Sequence, residues 1–163
     1  MKTASTLRAI QETVTAHLLQ PSFQYEGETL QNPIVKYAVP VLSRLKKDLL
    51  NEIESGLAGT GMFVFVFPPE PKKVSPDVGL SFRDATLKVR VVENPILNPV
   101  REDFDAWDCW ETFVTLLDGF TPPIPAAQMI YLGDPFDDQS DDELRVFEAT
   151  FNLAFALTRR KST

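Results

Sequence analysis

The chain has 163 residues, 44% of them hydrophobic and 24% charged, which suits one domain burying its own core without disulfide or metal staples. Its net charge of −7, from 23 acidic against 16 basic side chains, argues against nucleic acid as a tight partner, because that affinity rests on clustered Lys and Arg. A single cysteine excludes an intrachain disulfide and a multi-cysteine metal centre, and no stretch approaches the roughly 20 apolar residues that span a bilayer.

The N-terminus, "MKTASTLRAIQETV", has no apolar signal core, so the sequence predicts a soluble protein in a reducing cytoplasm. From Thr6 to Leu19, Leu7, Ile10, Val14 and Leu18 recur at steps of three and four and predict an amphipathic helix. Residues 21–33, "PSFQYEGETLQNP", show no clean period and read as an extended arm. That divides the chain into an N-terminal helix and arm (residues 1–33) and an α+β core (residues 34–163). A second helix is expected from Pro40, where a missing N–H costs nothing, with Leu42, Leu45, Leu49, Ile53 and Leu57 as its buried stripe.

"MFVFVFPP", residues 62–69, alternates Phe and Val, so both faces of this strand are apolar and both need covering. After a polar loop holding Lys72 and Lys73, a return strand is expected from about Leu80 to Glu93, with Leu87, Val89 and Val91 on one face and a bulge at Arg83-Asp84. "ENPILNP", residues 93–99, then stops the strand: two Asn-Pro pairs fix a corner, with Asn98 a candidate cap. A third helix is expected from Asp103, its N-cap, to Asp118, with Trp107, Trp110, Phe113, Val114 and Leu117 on its apolar face. "MIYL" (129–132) and Leu144–Leu157 complete the strands. The order ααββαββ predicts an α+β domain, a mostly antiparallel four-stranded sheet with helices on one face.

No residue stands out as catalytic. His17, the only histidine, lies beside the first helix's apolar stripe with no nucleophile in a recognisable context. Cys109 sits among Asp105, Asp108 and Glu111, which disfavour a thiolate, so it reads as a core or boundary residue. The aspartates of "GDPFDDQSDDE" (133–143) lack the glycine-bearing Ca²⁺ loop arrangement and read as an exposed loop, leaving cation binding an open second reading. No cofactor or metal is expected.

The run "AGTGMFVFVFPP", the corner "LKVRVVENPILNP" and the helix "FDAWDCWETFVTLLDGF", followed by an acidic loop and a long last strand, resemble small phage neck and tail-completion proteins, the tail-terminator-like family often found in prophages. The resemblance covers about Leu42 to Leu157. It implies a non-enzymatic virion assembly protein that forms a homo-oligomeric ring with other phage structural proteins, made in the cytoplasm and carried in the virion. It also implies contacts through Phe63, Phe65 and Phe67, through the hairpin around Lys72 and Lys73, and through the arm around Phe23 and Tyr25. A negative charge suits a lumen that passes DNA without gripping phosphates. The N-terminal helix and arm are additions to the simplest members, which leaves the terminator and head–tail joining roles both open. Two other readings stand beside it: a cytoplasmic adaptor holding a peptide at a sheet edge, and a small hydrolase or metal-dependent enzyme at the aspartate loop.

Overall fold

A computed structural model describes residues 6–38, 40–42, 60–71, 82–124 and 127–156 of the chain. Helix α1, Thr6–Leu18, buries Ile10, Val14 and Leu18, the stripe its period dictates. Gln11 is buried with them, and its Nε2 donates to the Val66 carbonyl at 3.0 Å.

The expected arm is instead an antiparallel hairpin, β1 (Ser22–Tyr25) and β2 (Glu28–Gln31). Glu26 and Gly27 turn it with φ of 49° and 81°, the two positive values of a two-residue type I′ turn. Glu-Gly is not the favoured Asn-Gly pair, and both strands are largely exposed, so neither the turn nor the alternation was visible in the sequence. Asn32 fastens the hairpin to α1, its Nδ2 donating to the carbonyls of Leu18 (2.7 Å) and Gln20 (2.8 Å). A single helical turn, α2 (Ile34–Tyr37), follows.

Pro40 begins a strand, not a helix. β3 (Pro40–Leu42) lies parallel to β4 (Met62–Val66), where an edge-strand proline has no ladder N–H to lose. The rest of the expected second helix lies outside the described residues. β4 is buried along its whole length, and β5 (Glu70–Pro71) continues past Pro68-Pro69 along the same neighbour.

That neighbour is β6 (Phe82–Glu93), which pairs antiparallel with β8 (Arg145–Ala156) at all twelve positions, so no bulge exists at Arg83-Asp84. Because the register is unbroken, Ala85, Leu87, Val89 and Val91 face the same side as Leu153, Phe151, Ala149 and Phe147, and all are buried. Helix α3, Ala106–Leu117, crosses this side together with α1. Its N-cap is Asp105 rather than Asp103, in a capping box with Asp108: each side chain accepts from the other's backbone N–H at 3.1 Å. Asp103 belongs to the preceding turn, its N–H donating to the Val100 carbonyl.

α3 buries Ala106, Cys109, Phe113, Leu116 and Leu117. Trp107, expected in the core, is 48% exposed and stacks on Phe136 at 4.9 Å. Phe136 stands on β7 (Tyr131–Asp138), so most of the expected acidic loop is an edge strand, with register shifts at Leu132/Asp134 and Asp134/Asp137. The described sheet is α+β and mostly antiparallel, in the order β3-β4-β6-β8-β7 with β5 beside β6, rather than four-stranded. Within the described residues α1 and α3 share one face, while Phe63, Phe65 and Val92 form a second buried cluster on the other.

Candidate functional site

The side chains with chemical potential are engaged in structure. The His17 ring lies flat on Phe120 at 3.8 Å, and its Nε2–H donates to the Leu116 carbonyl at 2.9 Å. Burial lowers its pKa from the ordinary value, the hydrogen bond only partly opposing that. Cys109 is fully buried; desolvation, then the charges of Glu93, Asp108 and Asp105, push its thiol well above the ordinary range, which disfavours the thiolate.

Among the described residues no group of three potential ligands gathers to hold a metal ion. In the aspartate segment, Asp138 accepts from the Ser140 N–H, and Asp141 accepts from the N–H groups of Leu144 and Glu143. The Ser140 hydroxyl, then its N–H, holds the Asp138 carboxyl below its ordinary value, and the Leu144 and Glu143 N–H groups do the same for Asp141. Two aspartates there are thus turn-formers rather than a chelating set.

The Asn-Pro corner is built from the inside. Glu93 ends β6 fully buried, and Asn98 Nδ2 donates to its Oε2 at 2.8 Å and to the Phe104 carbonyl at 3.0 Å. Glu93 Oε1 has no hydrogen bond, but the Arg145 guanidinium stands 3.6 Å away and equally close to Asp105. Asn98 is therefore no helix cap: its Oδ1 accepts from the Val100 N–H, turning the chain, while Asn94 does the same for Ile96. Gly61 (φ +75°) lies under this backbone, where a Cβ would come 2.5 Å from Asn98 N. Held this way, the tip carries Ile96, 85% exposed, and Leu97, 50% exposed.

Beside the corner an open groove of about 440 Å³ runs between the β1–β2 hairpin and α3. Phe23, Tyr25, Leu30 and Pro33 line one wall. Asp108, Glu111, Thr112 and Thr115 line the other; their spacing of three, four and seven residues places them on one helical stripe. Asp103 and Phe104 close the end. Burial, then the neighbouring Asp105, raises the Asp108 carboxyl from its ordinary value, against the pull of the Asp105 backbone N–H. No Lys or Arg among the described residues pairs with Asp103, Asp108 or Glu111.

The candidate interface residues therefore part company. Phe23 and Tyr25 meet in the groove, Tyr25 47% exposed. Phe63 and Phe65 are each 2% exposed, buried in the second cluster rather than offered to a partner, because a strand apolar on both faces is covered within the chain. Phe67 is half-buried, with the Arg90 guanidinium 5.0 Å from its ring and that arginine paired to the buried Glu148 at 2.7 Å. Lys72 and Lys73 lie outside the described residues. Sequence reasoning missed Ile96 and Leu97, although two apolar residues between two prolines were the signal for an exposed tip. It also missed the acidic stripe of α3, legible as Asp108 and Glu111 three residues apart.

No family model matches the chain, and no curated protein matches it in sequence. No helix among the described residues is long and apolar enough to cross a membrane.

Proposed function

We propose that the chain is a non-enzymatic assembly protein that works through protein–protein contacts, as a phage or prophage tail terminator or head–tail joining protein does. The observation that carries this reading is the tip at Ile96 and Leu97. Two exposed apolar side chains are locked in place by Asx turns, two prolines and the close backbone of Gly61, which is the form of a preorganised contact rather than a loose loop. The burial of Cys109 and the engagement of His17 support a protein without nucleophilic chemistry. The phage setting rests on the resemblance of the corner and α3 sequences.

The reading predicts mass that rises with concentration. Light scattering after size exclusion, over a roughly hundredfold concentration range, should show oligomers, and Ile96→Asp should shift them toward monomer while thermal stability stays near that of the parent. A strict monomer at every concentration, in both proteins, would overturn self-assembly. It would favour the adaptor reading instead, which the groove beside the hairpin suits better than any sheet edge.

A further inference from the structure

We infer that the groove between the β1–β2 hairpin and α3 is a docking site for an arginine-bearing segment of a partner protein. Charge is the first argument. Asp103, Asp108 and Glu111 present three carboxylates to one groove, with no described cation neutralising them. Lys36, the basic residue of the neighbouring α2, lies over the Tyr37 ring instead and does not line the groove. Chemistry of the opposite wall is the second. Phe23, Tyr25 and Leu30 offer aromatic and apolar surface facing those carboxylates.

A planar guanidinium satisfies both walls at once, donating from its edge to carboxylate oxygens and stacking its face on an aromatic ring. Lysine has the charge and can sit over a ring, but it lacks the planar fork that donates two parallel bonds while stacking. The volume, about 440 Å³, takes a short stretch of chain rather than a domain. The groove is also pre-shaped: Asn32 ties the hairpin to α1, the Thr112 and Thr115 hydroxyls donate to carbonyls of their own helix, and Asp108 Oδ2 is held by the Asp105 N–H, which leaves its Oδ1 and the carboxylates of Asp103 and Glu111 to meet a partner.

This inference rests on the reading of the chain as a contact-making protein, and the test separates the two. A fluorescein-labelled ten-residue peptide of four arginines, two leucines and glycines is titrated by anisotropy at low and physiological salt. Binding should weaken with salt, and Asp103→Asn with Glu111→Gln should weaken it about fivefold to tenfold. Asp142→Asn with Glu143→Gln removes the same charge from a turn that does not line the groove and should change it less than about twofold. Tyr25→Ala should also weaken it, and a lysine version should bind more loosely than the arginine peptide.

Equal losses for the groove and turn pairs would overturn the site, leaving only attraction to an acidic protein. Salt-dependent self-association of the parent that the groove pair abolishes would overturn it too, since the occupant would then be a second copy. Oligomers that persist while the peptide fails to bind would sink the groove and spare the assembly reading. A monomer that binds the peptide would do the reverse.

Discussion

The corner "ENPILNP" is explained at the level of single residues. Proline and asparagine stop β6 as the sequence indicated, but the anchor is Glu93, a buried carboxylate whose hydrogen-bond partner is Asn98. Nothing in a sequence marks a glutamate at a strand's end as buried, because the burial comes from α3 closing over it with Arg145 nearby. Gly61 completes the corner, since its hypothetical Cβ would meet backbone atoms of Leu97 and Asn98 that cannot swing aside. Gly27 has a similar positive φ but open space around it. Gly61→Ala should therefore cost about 3 kcal/mol or more, combining backbone strain with the clash, whereas Gly27→Ala should cost about 1 kcal/mol from strain alone. Urea midpoints of the two variants decide it: equal losses would mean the corner yields around the new methyl.

At the level of elements, the helices were legible where the apolar period coincides with the buried face and obscure where it does not. α1 followed its period, and the end of α3 at Gly119 (φ +84°) was marked by the glycine. The face of α3 was rotated from expectation, because tryptophans rank high on hydrophobicity yet cover an edge, while Cys109 and Leu116 fill the interior. One link between elements depends on pH. His17 of α1 donates to the Leu116 carbonyl of α3 as a neutral ring, and burial depresses its pKa below 6.5.

Between that lowered value and 6.5 the unfolded chain binds more protons than the native one, so stability rises with pH there. The contribution is complete above 6.5 and is lost as pH falls through the window below it. Melting temperatures at about pH 7.5 and 5.5 should differ more for the parent than for His17→Gln, which keeps an N–H for Leu116 but cannot titrate. Matching slopes in the two proteins would show that other groups dominate the window.

For the molecule as a whole, the question is which surfaces permit association and which forbid it. The sheet's long axis, β6 against β8, is buried between neighbours; its described order ends in β3, three residues long, and in β7, which is the longer edge. An unpaired edge invites strand addition, and chains blunt it with charge, proline and bulges. β7 has all three: Asp134, Asp137 and Asp138, Pro135, and two register shifts against β8. The aspartates that suggested a cation loop thus have a second use as strand-edge charges, which the sequence could not convey before the register was known.

It follows that productive contacts should run through the tip and the groove, not through this edge. Removing the guard should create an unwanted one: Pro135→Val with Asp137→Val should give polydisperse, growing species in light scattering, while neutralising Asp142 and Glu143 should not. If the edge variant instead keeps the parent's mass, the bulges alone close β7, because a strand that steps out of register twice within its 8 residues offers no straight run of N–H and C=O groups to a newcomer.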